Sequence, residues 1–313
     1  MYASKNCHLE TVDLLIRHGG TSFDSITRLI ISHLTFIVNL VHVAKVNETF
    51  DGWTSIMCAA DKGHTAVVSL LLANGAQVNK PDYKDNKTPL LCAAEKRHLD
   101  VMKILVKERP ALDLNHSDKG GWTALMRSAH IGYTEAVQFL LDSGANINKR
   151  DVNGSIALHF AAIEGHTETV RLLIERGSDV QILGWNESAL FNAICKGHVD
   201  TSLLLIQSGS DLDKECNQYT PLIQAIITDN VDIATALLEN GADPNKMVTQ
   251  KGKNNSLPPL FLAIKAGSLV MVDLLLKYDV HADILFDGKS AIEIAQKFKR
   301  PEIELLLMIM TCE

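Results

Sequence analysis

The feature that most constrains the fold of this sequence is a motif that recurs about every 33 residues. Two stretches match at sight, DGWTSIMCAADKGHTAVVSLLLANGAQVN (51–79) and VNGSIALHFAAIEGHTETVRLLIERGSDVQ (152–181). The residue at the Thr position marks each copy, and successive markers lie 32 to 38 residues apart: Thr54, Thr88, Thr123, Ile156, Ser188, Thr220, Pro258 and Ser290. One copy is too short to bury a core of its own. The period therefore predicts an array of stacked repeats that cover one another.

Each copy of the motif predicts a pair of short helices. A hydroxyl can N-cap the first helix in five copies, at Thr54, Thr88, Thr123, Ser188 and Thr220. Pro89 and Pro221 stand at the first helical position, where the missing N–H costs little. Glycine can take the left-handed conformation that ends a helix. Glycines that would end the first helix are Gly63, Gly132, Gly165, Gly197 and Gly267, and those that would end the second are Gly75, Gly144, Gly177, Gly209 and Gly241.

In these motifs the chain resembles the ankyrin repeat proteins. The resemblance is carried by TPLLCAAEKRHLDVMKILV (88–106), TALMRSAHIGYTEAVQFLLDSGANIN (123–148) and IALHFAAIEGHTETVRLLIERGSDV (156–180). The family motif is TPLHxAAxxGH followed by VxxLLxxGAxxN. The resemblance covers residues 1–20 and about 46–308. It implies an all-α solenoid of eight recognisable repeats plus a partial N-terminal one, with helix pairs joined by projecting β-hairpin loops.

The chain departs from the family pattern at several junctions. Arg97 and Asp229 replace the first glycine, whereas Arg109-Pro110 and Asp279 replace the second. A residue other than glycine at positive φ costs about 1 kcal/mol, so we expect local distortion at these junctions. The link at 242–257 is longer than the others and is expected to be an extended surface loop. The last repeat carries charge on its helices and has Pro301 at the expected start of its second helix. Residues 287–308 are therefore predicted to form a C-terminal cap.

An apolar segment interrupts the pattern near the N-terminus. ITRLIISHLTFIVNLVHVAKVN (26–47) falls where a second helix should pass directly into its hairpin, so residues 21–45 are an insertion. As a helix, its 16-residue apolar part (29–44) would span roughly 24 Å, less than the ~30 Å core of a bilayer. A membrane span is therefore disfavoured. An added helix at the edge of the array and a gene-model artefact such as translated intron both stay open.

Composition narrows the classes of function. The net charge is −7 and no run of Lys or Arg stands out, which argues against nucleic acid as a partner. The six Cys form no CxxC pair, and the chain shows no signal-peptide pattern. These features predict a protein with reduced thiols that is cytoplasmic, with the nucleus as the alternative compartment. We also expect the protein to be monomeric.

No motif in the sequence indicates catalysis. Four histidines share the position after the first glycine, namely His64, His98, His166 and His198. The resemblance implies that this position is structural and binds backbone across the turn. His159, at the histidine of the TPLH-like motif, is interpreted in the same way, and Cys58 and Cys92 are expected in the core. HExxH, phosphate-loop and Gly-x-Ser-x-Gly motifs are absent. We expect no catalytic residues, no cofactor, no metal and no enzymatic activity.

Binding is predicted at positions that the repeat leaves variable. In the family's architecture, the hairpin tips and the two residues between "AA" and "GH" project onto a concave face, and the usual task of the family is binding other proteins. The candidates are Tyr83, Glu95, Lys96, Trp122, His130, Ile131, Ile163, Glu164, Trp185, Lys196, Tyr219 and Thr228. All three Trp fall in the hairpin links, and we expect Tyr83, Trp122 and Trp185 to be anchors. For Trp53 and Trp122, packing against the next hairpin is the alternative.

Two functions follow from this sequence. The first is a protein–protein interaction module or scaffold that binds a partner on the concave face and hairpin tips. The alternative is the regulatory or targeting ankyrin region of a larger enzyme or channel. The alternative is suggested by residues 3–20, which align with 59–76, so that the chain begins already inside a first helix.

Overall fold

A computed structural model describes residues 46–50, 52–108, 111–247 and 258–310. The partial repeat expected at 1–20, the apolar insertion at 21–45, the Arg109-Pro110 junction and most of the long link, residues 248–257, lie outside the described residues. The chain divides into two compact units, Met1–Val152 and Asn153–Glu313. They are called the first and the second unit below.

Within the described residues, sixteen helices follow one another as eight pairs. In the first unit they are α1 (Ser55–Asp61), α2 (Thr65–Ala73), α3 (Pro89–Glu95), α4 (Leu99–Glu108), α5 (Ala124–His130) and α6 (Thr134–Asp142). In the second unit they are α7 (Ala157–Ile163), α8 (Thr167–Glu175), α9 (Ala189–Lys196), α10 (Val199–Gln207), α11 (Pro221–Ile227), α12 (Val231–Glu239), α13 (Pro259–Ala266), α14 (Leu269–Leu276), α15 (Ala291–Lys297) and α16 (Pro301–Met310). Odd numbers are the first helices of the repeats, and even numbers are the second helices.

Short antiparallel hairpins connect the pairs. Strands β1 (Thr49–Phe50) and β2 (Trp53–Thr54) pair before α1, and β3 (Leu183–Gly184) and β4 (Glu187–Ser188) pair before α9. Single antiparallel bridges mark three further links: Ser117 with Thr123, Cys216 with Tyr219, and Phe286 with Lys289. The predicted helix pairs with hairpin links are thus confirmed in the described residues.

Stacking of like helices supplies the core. In the first unit α1, α3 and α5 pack in succession and α2 packs on α4. In the second unit the first helices α7 to α15 and the second helices α8 to α16 form two such rows. The first helices meet through small residues such as Ala93 and Ala94, and the second helices contribute side chains such as Val170 and Leu173, all fully buried. Each repeat is therefore covered by its neighbours, as the period predicts.

The predicted hydroxyl caps are only partly correct. Thr123, Ser188 and Thr220 accept hydrogen bonds from the backbone N–H three residues later, at 3.3, 3.1 and 3.2 Å. Thr54 and Thr88 occupy the same extended N-cap position, but their hydroxyls make no capping hydrogen bond. The prediction is wrong for these two, because the backbone conformation of an N-cap does not fix the rotamer of its hydroxyl. Pro89 and Pro221 begin their helices as expected.

The junctions at Arg97 and Asp229, where the first glycine is replaced, are not distorted. Arg97, Asp229 and Asp279 have φ of +63°, +52° and +49°, the same left-handed conformation as the glycines of other repeats. The turn at Arg97 keeps its hydrogen bond from the Arg97 N–H to the Ala94 carbonyl, at 3.2 Å. The expected distortion is therefore wrong at Arg97 and at Asp229, whose N–H donates to the Ile226 carbonyl at 3.1 Å. At Arg97 the strain is offset, since the guanidinium donates to the Ile131 carbonyl at 3.0 Å and lies 4.5 Å from the Tyr133 ring centre.

The last repeat begins its second helix at Pro301, as predicted. The exposed side chains of that helix include Leu305 and Ile309, at positions where α8 carries Arg171 and Glu175. A polar outer face is what a terminal repeat needs. The role of residues 287–308 as a cap stays a prediction.

Candidate functional site

The sequence candidates lie on two kinds of surface that recur in every repeat. One is the pair of residues at the end of each first helix, just before the left-handed turn, called the helix-end positions below. The other is the tip of the hairpin that precedes each first helix. Both are held by contacts that repeat along the chain, so their backbone is fixed while their side chains vary.

The histidines after the turn fix the helix-end backbone. His98 Nε2 lies 3.1 Å from the Asp61 carbonyl oxygen, and His198 Nε2 lies 3.0 Å from the Ile163 carbonyl oxygen. Each ring is thus in hydrogen-bond contact with the backbone at the helix end of the preceding repeat. The predicted structural role is confirmed for His98 and His198. The rings lie so close to Gly63 and Gly165 that a methyl group there would come within 2.6 and 2.5 Å of His98 Nδ1 and His198 Nδ1.

His159 is engaged in the same structural way. It is buried, its Nδ1 accepts a hydrogen bond from the Ile156 N–H at 3.2 Å, and its Nε2 lies 3.0 Å from the Ile182 carbonyl oxygen. The ring therefore joins an N-cap to the following loop. Both nitrogens are used, which confirms the interpretation of this histidine as structural.

Side-chain amides connect successive hairpin loops, a feature that the sequence did not predict. Asn79 Nδ2 donates to the Ala111 carbonyl at 2.8 Å, and Asn79 Oδ1 accepts from the Asp113 N–H at 3.0 Å. Asn47, Gln181 and Asn245 bridge to the next loop with the same two bonds. These bridges hold neighbouring hairpins in register. The recurring Asn of "GAQVN" and "GADPN" was the signal that could have revealed them.

Paired charges occupy the helix-end positions of the first two described repeats. Asp61 and Lys62 lie 3.0 Å apart, and Glu95 pairs with Lys87 at 2.8 Å. Burial opposes the charge of Lys87, but the hydrogen bond and charge of Glu95 outweigh it and raise the pKa of Lys87. The Glu95 carboxylate is therefore already paired with a cation of its own repeat. The neighbouring candidate Lys96 is exposed.

An aromatic cluster forms at the third repeat of the first unit. The Arg127 guanidinium lies 4.5 Å from the Trp122 ring centre, and the His130 ring meets Trp122 edge-on at 5.3 Å. Arg127 also pairs with the buried carboxylate of Asp118. Trp122, His130 and Ile131 are half-buried, so Trp122 packs within its own repeat and keeps part of its surface accessible. The pairing of Trp122 with Arg127 was missed from the sequence.

Tyr83 and Trp53 differ in exposure. Tyr83 is 65% exposed, and its ring rests against Gly52. Trp53 is half-buried in strand β2, where it pairs with Phe50. In the first unit the rings of Trp122 and His130 are thus in contact, whereas Tyr83 lies on a separate hairpin.

Trp185 is the most exposed aromatic candidate. It is 74% exposed at the tip of the β3–β4 hairpin, where Trp185 and Asn186 have φ of +52° and +63°. Its backbone N–H donates to the Asn153 carbonyl at 2.8 Å, which ties the tip to the neighbouring loop. The amide of Asn217 on the next hairpin donates to the Glu187 carboxylate. The indole therefore projects from a tip that is fixed on both sides.

Four of the remaining second-unit candidates lie at the ends of first helices, and the fifth, Tyr219, lies in the link before α11. Glu164, Lys196 and Thr228 are exposed at the ends of α7, α9 and α11, whereas Ile163 and Tyr219 are half-buried. The Thr228 hydroxyl donates to the Gln224 carbonyl at 3.0 Å. The structure therefore places Glu164, Lys196 and Thr228 at equivalent positions of consecutive repeats.

The four cysteines in the described part of the chain have thiols of low reactivity. Burial raises the pKa of Cys92 to about 12 and that of Cys58 to about 11, and Asp61 adds to both shifts. Cys195 is exposed, yet desolvation of its thiol and the charge of Glu187 raise its pKa to about 11. Burial also raises the pKa of Cys216. Thiolate, the nucleophilic form, is thus disfavoured at all four.

A search of the described residues for groups of three or more His, Cys, Asp or Glu that could hold a metal ion finds none. In the same part of the chain, none of the helices has both the length and the apolar character needed to cross a membrane. A family model described as "Ankyrin repeats (3 copies)" matches residues 1–118, 110–183 and 158–248.

Proposed function

The chain belongs to the ankyrin repeat family, and we propose that its helix-end positions and hairpin tips dock a segment of a partner protein. Ankyrin repeats are generally protein–protein interaction modules. The proposal assigns the binding surface and its anchors within this chain, and the observation that carries it is the exposed Trp185 at a fixed hairpin tip.

Trp185 is not explained by the stability of its own hairpin. A two-residue turn with positive φ at both central positions favours Asn and Gly, and a residue with a Cβ at such a position costs about 1 kcal/mol. Trp185 has such a positive φ and therefore carries this backbone strain, and most of its large apolar ring is exposed to water. Trp is enriched among the residues that dominate interface energies. An exposed indole on a fixed hairpin tip, which the fold does not need, is therefore best explained by a partner.

The first unit supports the same function through Trp122. Its ring is already oriented by Arg127 and His130, so binding would lose little side-chain freedom there. Tyr83 adds a second exposed ring on the preceding hairpin. These residues are proposed as further anchors.

We also propose that binding, and not catalysis, is the activity of these residues. Support comes from the groups that chemistry would need. His98, His159 and His198 are engaged with backbone atoms, and the four described cysteines have raised pKa values. The alternative of a regulatory region in a larger enzyme or channel would use the same docking surface.

The test is affinity capture with tryptophan variants. The chain is expressed in cells from its natural transcript, and its partners are quantified for the wild type, Trp185→Ala, Trp122→Ala and the control Leu305→Ala. Leu305 is an exposed apolar residue on a second helix, away from the proposed surface. Truncating a hot-spot residue costs about 2 kcal/mol or more, so we expect recovery of at least one partner to fall roughly thirtyfold with Trp185→Ala. Full retention of every partner by both tryptophan variants would refute the proposal.

A further inference from the structure

Three exposed lysines stand on the helix-end positions of the second unit. Lys196 ends α9, Lys265 is the penultimate residue of α13, and Lys297 ends α15. They are called the lysine row below. In the part of the chain that the structure describes, none of the three ammonium groups forms an ion pair with a carboxylate. Lys297 lies 5.8 Å from the ring centre of Phe298.

The corresponding positions of the first unit are different. There Asp61 pairs with Lys62, and Glu95 pairs with Lys87, so each of these two helix ends carries a carboxylate, with the exposed Lys96 beside Glu95. In both units carboxylates occupy the first turns of the second helices, for example Asp100, Glu135, Glu168, Asp200 and Asp232. The lysine row is thus a local positive surface on a chain whose net charge is −7.

The charged side chains around the lysine row leave the net charge of this surface positive. Lys299 and Arg300 follow Lys297, and Arg300 donates to the carbonyls of Lys265 and Ala266 at 3.5 and 3.2 Å. Carboxylates at or beside the equivalent positions are Glu164, exposed at the end of α7, Asp229, exposed in the turn after α11, and Glu187, whose charge acts on Lys196. Five cationic side chains and three carboxylates therefore lie at or beside these helix ends, and the balance of charge is positive.

The helix dipole favours a cation in the last turn of a helix and accounts for part of this placement. The fold does not require such a cation, since α7 and α11 end in Ile163 and Ile227. Ile227 is 48% exposed between Lys196 and Lys265, and Phe298 is 37% exposed beside Lys297. The surface is thus a row of cations interrupted by exposed apolar side chains.

We propose that the lysine row binds an extended, acidic segment of a partner protein that carries one apolar side chain between its carboxylates; this rests on the function proposed above. Packed helices lie about 8–10 Å apart, and an extended chain advances about 3.3 Å per residue. One repeat therefore corresponds to about three residues of the partner. The pattern that fits Lys196, Ile227, Lys265 and Lys297 is acid-x-x-apolar-x-x-acid-x-x-acid.

The experiment measures binding of a fluorescent ten-residue peptide with this pattern to the full chain by anisotropy. One variant combines Lys196→Gln, Lys265→Gln and Lys297→Gln. Its control combines Lys103→Gln, Arg171→Gln and Lys277→Gln, which removes the same charge from the second helices or their ends. Each exposed charge pair contributes a few tenths to 1 kcal/mol, so we expect binding to weaken about tenfold in the row variant and to be unchanged in the control. Raising the salt concentration should weaken wild-type binding.

The proposal would be overturned if the peptide failed to bind the wild type or if the row variant bound it as tightly as the wild type. It would also be overturned if a peptide with Gln in place of its acidic residues bound the wild type equally well. Equal affinity for a single-stranded RNA of the same charge would also overturn it, because the surface would then select charge alone. If the row variant still captures every partner and Trp185→Ala does not, the lysine row is wrong and the docking function stands.

Discussion

Replacing Gly63 by Ala tests how one repeat holds the next. Gly63 has φ of +71°, and an added methyl group would lie 2.6 Å from His98 Nδ1 in the following repeat. The left-handed conformation alone costs a residue with a Cβ about 1–2 kcal/mol. The methyl group must also displace the imidazole and break the 3.1 Å hydrogen bond from His98 Nε2 to the Asp61 carbonyl. Loss of that bond adds about 0.5–1.5 kcal/mol, so the total is about 1.5–3.5 kcal/mol.

Gly197 provides the matched control for this substitution. It occupies the same position of another repeat with φ of +76°, but an added methyl group would meet nothing within 4 Å. Gly197→Ala should therefore cost only the backbone term, about 1–2 kcal/mol. The structural reason is that Asn230, which is shorter than histidine, stands at the position that His98 occupies in its repeat.

The assay is urea unfolding by far-UV circular dichroism, combined with amide hydrogen exchange at the turns. Local exchange is needed because a repeat array can open one repeat at a time. We expect Gly63→Ala to be more costly than Gly197→Ala by about 1 kcal/mol, and this excess to disappear in a His98→Ala background. Equal costs for the two glycine variants, or an excess that survives removal of His98, would refute the reasoning.

Three further predictions concern pH, thiol reactivity and backbone strain. Hydrogen bonds from the Ser290 backbone N–H and hydroxyl lower the pKa of Glu293 below its ordinary value of 4.5. The ionised carboxylate therefore stabilises the folded chain above pH 4.5, and this stabilisation is lost as the pH falls through the lowered pKa. Hydrogen exchange should then show α15 losing protection between about pH 5 and pH 3, and Glu293→Gln should reduce this dependence; an unchanged profile would contradict it. At pH 7.5 we expect Cys195 to be alkylated by iodoacetamide far more slowly than glutathione, measured by intact mass, and a comparable rate would show that its pKa is not raised. In urea unfolding, Asp229→Gly should stabilise the chain by up to about 1 kcal/mol, because it relieves the strain of a positive φ. Arg97→Gly should not stabilise it, because the contacts of the arginine side chain with Ile131 and Tyr133 are lost. Equal effects of the two substitutions would contradict this account.

The repeat architecture could be predicted because it depends on local requirements that recur. A glycine before most of the second helices marks a left-handed turn, and the turns at Gly63, Gly165 and Gly197 have this conformation. The same reasoning overestimated the cost of replacing glycine at Arg97. There the compensating contacts come from residues 34 and 36 positions later, at Ile131 and Tyr133, and a local pattern does not show them.

The candidate surface was predicted less completely for the same physical reason. The amide bridges of Asn79 and Asn245 join loops that are 32 to 36 residues apart. The stacking of Arg127 on Trp122 depends on how the hairpin folds back over α5. Lys297 was missed because Lys299 and Arg300 stand where the Gly-His pair would have marked the helix end. These features depend on tertiary contacts and not on spacing alone.

Site-specific photo-cross-linking tests the central claim of a docking surface most directly. A photoreactive phenylalanine analogue is placed at Trp185, at Lys196 and, as a control, at the exposed Glu175 of the second helix α8. After irradiation of cells that express the chain, cross-linked partners are identified by mass spectrometry. We predict the same partner peptide from positions 185 and 196 and none from position 175. Cross-links to partners from position 175, with none from positions 185 and 196, would contradict the account.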